Sequence, residues 1–149
     1  MKPEFRRLGP HDVELLLSTA PDVFDNPVNL DRARSFLVDP RNILIVAMED
    51  GQVIGQIACV VHLHVDAPAD LYIDNLGVTP DKQRQGIARE LVRLAREAGR
   101  AYGIGTTWLA VDPDNDVAQE LYRRTGASGA PALMFSYEET TGPSDTDGG

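Results

Sequence analysis

The stretch LGVTPDKQRQGIARELV, residues 76–92, leaves an apolar segment, passes a proline-bearing turn and a basic cluster, and enters a long amphipathic pattern. Proline at 80 cannot continue a strand ladder. From Gln85 to Tyr102 the apolar positions Ile87, Leu91, Leu94, Ala95, Ala98 and Tyr102 fall at helical spacing with Arg and Glu between them. A strand, a turn and a helix are therefore expected in that order. The start of such a helix carries unpaired backbone N–H groups and the positive end of the macrodipole, so it binds anions. Gly86 has no side chain to hold a ligand away, Ala88 is nearly as small, and Lys82, Arg84 and Arg89 add positive charge. A phosphate or pyrophosphate is the natural guest. No Gly-Lys-Ser/Thr run is present, and Gly103-Ile104-Gly105 lacks the third glycine of a dinucleotide fingerprint.

Outward from that stretch, DLYIDNLGV (70–78) reads as the strand feeding the turn. Upstream, NILIVAM and QVIGQIACVV flank Glu49-Asp50-Gly51, and an Asp-Gly pair between β-rich runs signals a hairpin. Both runs are apolar on nearly every residue, which predicts helices on both faces of the sheet. EFRRL (4–8) reads as a first strand, the leucine-rich segment after Gly9-Pro10 as a helix, and NLDRARSFLVD as a second helix. Downstream, TTWLAV reads as a strand, DNDVAQELYRRTGA as a helix stopped by Gly126, and ALMFSYE (132–138) as a last strand. The tail, residues 139–149, is polar and expected to be disordered, leaving residues 1–138 as one domain.

The chain has 149 residues, enough for one domain with a sizeable core. Its formal charge of −9 argues against a nucleic-acid partner and suits a cationic substrate or simple solubility. The segment 82–100 runs the other way, with Lys82, Arg84, Arg89, Arg93, Arg96 and Arg100 against Glu90 and Glu97. No run of about 18 apolar residues could span a membrane, and the N-terminal segment does not read as a secretory signal, so a cytoplasmic protein is expected. The single Cys59 lies inside an apolar run and reads as a core residue.

Gln83-Arg84-Gln85-Gly86-Ile87-Ala88 fits the Gln/Arg-x-x-Gly-x-Gly/Ala signature of the GNAT superfamily of N-acetyltransferases, directly after a strand ending Leu76-Gly77-Val78. Asn115, Ala118, Leu121, Tyr122 and Gly126-Ala127 match that superfamily's second motif, so the chain resembles the superfamily over residues 4–138. The resemblance implies an α+β, three-layer fold with a mixed sheet of six to seven strands, splayed near its middle and flanked by about four helices. Acetyl-CoA would be the cosubstrate, with no metal, wedged between LYIDNLGV and TTWLAV. Gln83, Arg84, Gln85, Gly86, Ile87, Ala88 and Arg89 would hold its pyrophosphate. Backbone groups of Leu76, Gly77 and Val78 would pair with the pantetheine arm and polarise the thioester carbonyl. Glycine at 77 would permit that close approach. Asn115 would contact the pantetheine or adenine end beside Ala118, and Tyr122 would protonate the departing thiolate. Homodimers are frequent on this fold, but no sequence feature marks an interface.

The acceptor amine must be neutral to attack, and an alkylamine of pKa ~10.4 lies about 4 to 5 kcal/mol short of that at pH 7. Candidate carboxylates are Asp74, beside the thioester, and Asp112, Asp114 and Asp116 in the loop before the Tyr122 helix. Acids next to an ammonium hold it but favour its charged form, so a base acting through water would resolve the conflict. Within the superfamily the chain most resembles the gentamicin-type aminoglycoside 3-N-acetyltransferases, which implies an aminoglycoside acceptor and antibiotic resistance. Those enzymes carry a carboxylate where this chain has Asn75. Asp74, one residue earlier, points to the opposite face under strict strand alternation and cannot replace it. Acylation of a peptide, protein or polyamine amine, or a CoA-binding sensor without catalysis, are the alternatives. His62 and His64 lie two apart and read as surface or substrate-lining residues, and Trp108 reads as core.

Overall fold

The computed structural model describes residues 2–140. Five strands form one sheet in the order β1-β2-β3-β4-β5: β1 Glu4–Arg7, β2 Asn42–Glu49, β3 Gln52–His62, β4 Asp70–Val78 and β5 Thr107–Trp108. The first four pair antiparallel and β5 lies parallel to β4. The β2–β3 hairpin turns through Asp50 (φ 52°) and Gly51 (φ 76°), the two left-handed residues that match a two-residue turn to strand twist. Both hairpin strands are buried on nearly every residue, as their unbroken apolar sequence requires.

Three α-helices, α1 Leu30–Val38, α2 Ile87–Arg100 and α3 Asp116–Arg124, join two 3-10 helices, Pro10–Leu17 and Pro80–Lys82. The segment 10–17 winds at three residues per turn because its buried positions, Val13 and Leu16, recur at that spacing, while Leu17 is left outside. Opposite faces of the sheet are covered by different elements. A Cβ on Gly55 would touch Ile87 of α2, whereas a Cβ on Gly77, whose register partner is the next residue Gln56, would meet the chain at Val23. Thus α2 covers one face, and the segment joining the first 3-10 helix to α1 covers the other.

Among the described residues five strands form, not the expected six to seven. TTWLAV contributes only Thr107–Trp108, and 132–138 runs outside the sheet with Leu133, Met134, Phe135 and Tyr137 exposed. The reason lies in β4. Opposite Ala58 and Cys59 it carries one extra residue, Asp74, and such a bulge bends and twists the strand. β5 follows β4 at Leu71 and Tyr72 and parts from it just before the bulge. A two-residue edge strand offers almost no ladder for a further strand to join. The splay accordingly lies at the sheet's end, between β4 and its edge strand, and not near its middle. Of the expected disordered tail, residues 141–149 lie outside the described residues.

Candidate active site

From Ile73 to Val78, β4 has a partner on one side only among the described residues, because β5 has departed. The open edge leads through Thr79 into the turn at 80–86. That turn is braced, since the Thr79 amide donates to the Ile54 carbonyl at 2.9 Å and the Gln83 side chain donates to the Val78 carbonyl at 2.9 Å. Arg84 (φ 65°) and Gly86 (φ 83°) both adopt left-handed backbone, and successive amides in such a turn form an anion-binding concavity. Gly86 is the N-cap of α2, whose first internal bond is from the Glu90 amide to the Gly86 carbonyl. The amides of Ile87, Ala88 and Arg89 are therefore not used by the helix. Nothing lies within 4 Å of where a Gly86 Cβ would stand.

The open edge and cradle fit the phosphates and pantetheine of acetyl-CoA, with refinements residue by residue. Gln83 braces the turn and Gln85 donates weakly to the Asp81 carbonyl at 3.5 Å, so both side chains shape the turn. The Ile87 side chain is core, leaving its backbone amide to the site. Lys82 is ion-paired with Glu49, which lowers that carboxyl's pKa and raises the lysine's; the positive charge left at the turn is that of Arg84 and Arg89. Gly77 also answers a packing demand. A Cβ there would stand 2.1 Å from the Val23 carbonyl oxygen, so glycine admits the protein's own chain.

Tyr122 on α3 is half-buried against the core. Burial, then the Cys59 thiol, pushes its phenol up to about 12, so it stays a proton donor at neutral pH. Cys59 is fully buried, and burial, then Asp74, pushes its thiol up to about 12 as well, which keeps it an unreactive core group. Asp74 is the exposed bulge residue, so strict alternation does not hold where it was invoked to oppose Asp74 to Asn75. Asn115 caps α3, its side chain accepting from the Ala118 amide at 3.0 Å. Asp112, Asp114 and Asp116 are exposed around that helix start, and among the described residues none forms a side-chain bond or ion pair with β4.

A polar network lies on the face opposite α2. Buried Gln56 donates from Nε2 to the Val23 carbonyl at 3.1 Å and to Asn75 Oδ1, while Asn75 Nδ2 donates to Asp25 Oδ2 at 3.0 Å. Gln56 Oε1 is buried without a partner among the described residues. Asp25 and Asp22 line a cleft of about 440 Å3, with Phe24, Asn26 and Leu30 among its other walls. Sequence reasoning passed over Gln56 and Asp25, because no motif marks a loop residue 50 positions from its partner.

Trp108 is not core. It is 42% exposed and donates to Asp70 Oδ1 at 3.0 Å, its ring 4.6 Å from that of Tyr72, on which His62 stacks. His64 Nε2 stands 2.7 Å from Asp70 Oδ2 and His62 Nδ1 3.5 Å from Oδ1. Among the described residues no group of three or more side chains is arranged to hold a metal, and no helix is long and apolar enough to cross a membrane.

Known proteins resemble both the sequence and the fold. The chain is 46% identical over 55 residues (37% of this chain, 19% of the relative) to the GCN5-related N-acetyltransferase 6, chloroplastic, of Arabidopsis thaliana. It is 35% identical over 71 residues, 48% of either chain, to the ribosomal protein bS18-alanine N-acetyltransferase of Escherichia coli. With the N-alpha-acetyltransferase RimI of Mycobacterium tuberculosis it shares 33% over 90 residues, 60% of this chain and 54% of the relative. The chain thus spans from about a fifth to about half of the length of these curated relatives. An aminoglycoside acetyltransferase from an uncultured soil metagenomic sample superimposes with a TM-score of 0.82 at 24% identity, covering 94% of this chain and 100% of that one. AAC(6')-Iy in complex with a bisubstrate analogue gives 0.80 at 17% identity over the same shares. These two likenesses establish the fold. The sequence profile of the acetyltransferase (GNAT) family matches residues 11–127, from the first 3-10 helix through the turn that closes α3, and the chain belongs to that family.

Proposed function

We propose that the chain transfers the acetyl group of acetyl-CoA to a primary amine of a small cationic acceptor, the 3-amino group of an aminoglycoside being the first candidate. One observation carries this reading: the unpaired edge of β4 at Ile73–Val78 runs directly into the anion-binding turn at Arg84–Gly86 and the free amides of α2. Acetyl-CoA supplies an activated thioester when bound. The backbone of Leu76, Gly77 and Val78 orients it and stabilises charge developing on its carbonyl oxygen. The Arg84–Arg89 turn holds the diphosphate, and the Tyr122 phenol, which burial keeps protonated, donates to the leaving sulfur. Proton removal from the amine falls to a base acting through water, with Asp74 at the bulge the carboxylate on this strand beside it. The reading takes residues 1–138 as one acetyltransferase domain acting in the cytoplasm.

A second acceptor, the α-amino group of a peptide or protein, is favoured by the relatives named as bS18-alanine and N-alpha-acetyltransferases. Thiol release from acetyl-CoA, measured with aminoglycosides, polyamines and short peptides, separates the two. Tyr122→Phe is expected to lower kcat by roughly 100-fold, the scale of one general acid, with acetyl-CoA affinity intact. Unchanged turnover removes Tyr122 from the mechanism. Acetyl-CoA binding with no turnover of any acceptor would turn the reading toward a sensor.

A further inference from the structure

We propose that Asp25 binds the acceptor's ammonium group and that Asn75 holds Asp25 in place; this rests on the amine-transfer reading above. The polarity of the network requires an amide at position 75. The Val23 carbonyl only accepts, so Gln56 must turn its nitrogen toward it. The same nitrogen donates to Asn75 Oδ1, which leaves the Asn75 NH2 group facing outward, and the Asp25 carboxylate accepts from it at 3.0 Å. A carboxylate at 75 would have no proton for Asp25 and would set two like charges side by side.

The loop is built to hold that carboxylate still. The Ala20 amide donates to the Val53 carbonyl at 2.8 Å and the Val53 amide to the Ser18 carbonyl at 2.7 Å, anchoring the loop's start to β3. Val23 is seated in the gap left by Gly77 and clamped by Gln56. Gln56 itself is fully buried, so the amide that clamps Val23 and orients Asn75 is fixed by the surrounding packing. Asp25 uses Oδ2 for Asn75, and its Oδ1 has no hydrogen-bond partner among the described residues while the residue lines the cleft. Asn75 immediately precedes Leu76-Gly77-Val78 on the open edge, so an ammonium on Asp25 stands within a residue or two of the bound thioester's expected contacts. With Asp22 on the same cleft wall, cationic acceptors are favoured and peptides with acidic N-terminal residues repelled.

The test is steady-state thiol release by the full chain with amine and acetyl-CoA varied in turn while the other is saturating, with sisomicin, spermidine and the peptide Ala-Arg-Tyr as acceptors. Asp25→Asn should raise the amine KM by roughly 10- to 100-fold, the range of a lost charged hydrogen bond, with kcat and the acetyl-CoA KM unchanged. It should also abolish the rise of amine KM with salt that a charge pair produces. Asp25→Glu should recover part of the loss, and Asp66→Asn, in the exposed β3–β4 loop, should behave as the wild type. An Asp25→Asn enzyme with wild-type amine KM and salt dependence, or one weakened equally toward acetyl-CoA, would overturn the assignment while amine transfer stands. A wild type that turns over none of the three would defeat the amine-transfer reading, and this inference with it.

Discussion

Two glycines at the site look alike in sequence and differ in what they do. Gly86 is left-handed with open space where a side chain would grow, and Gly77 has ordinary backbone but a carbonyl oxygen where its Cβ would stand. The substitutions should therefore fail differently. Gly86→Ala forces a left-handed alanine at about 1 kcal/mol and turns the free amides of the proposed diphosphate site, so on that reading it should weaken acetyl-CoA binding about tenfold, or ~1.4 kcal/mol. Gly77→Ala pushes a methyl group into the Val23 backbone, an overpacking of about 2 kcal/mol, and should lower Tm by about 4–8 °C. Calorimetric titration and thermal denaturation of the two proteins distinguish affinity loss from stability loss. The requirement for glycine was visible at both positions; the cause at 77 was not, because Val23 approaches it from 54 positions earlier in the chain.

At the scale of elements, the junction of β4 and β5 decides where the site can open. Two register pairs and the bonds Leu71 amide to Thr106 carbonyl (2.9 Å) and Gly105 amide to Ala69 carbonyl (3.1 Å) join the strands. Around them, Asp70 gathers Trp108, His64 and His62, and hydrogen bonding from His64 first, with Trp108 after it, holds its carboxyl below the usual range. A lowered carboxylate contributes stability above its unfolded pKa of ~3.9 and loses it as pH falls through the folded value. Trp108→Phe keeps a ring over Tyr72 but removes the indole donor. Hydrogen exchange should then accelerate at Leu71 and Gly105 while the β2–β3 hairpin amides remain protected; unchanged protection at both would show that the indole bond does not hold β5. The strand–turn–helix order around the turn was legible because proline, glycine and helical periodicity act locally. The bulge at Asp74 was not, since a one-residue mismatch between β3 and β4 exists only once both strands are paired.

For the whole molecule, the two groups that burial raises, Cys59 and Tyr122, tie stability to pH on the alkaline side. Both are neutral in the fold, with values about 12 against ordinary ones of 9.0 and 10.0. Their contribution is complete below pH 9.0 and is lost as pH climbs toward about 12. Urea midpoints should therefore fall between pH 9 and 11, and Cys59→Ala should flatten the first part of that fall; an identical slope would place the titrating group elsewhere. Sequence by itself determined the hairpin, β4, the turn that follows it, α2, α3 and the family, because each is written in periodicity, turn residues or a contiguous motif. Tertiary structure decided the number of strands, the exposure of Trp108, the pairing of Lys82 with Glu49 and the meeting of Asp25 with Asn75. The reason is physical: local propensity and short motifs act over a few residues, whereas a bulge, an edge and a hydrogen bond between distant segments exist only after the chain has folded back on itself.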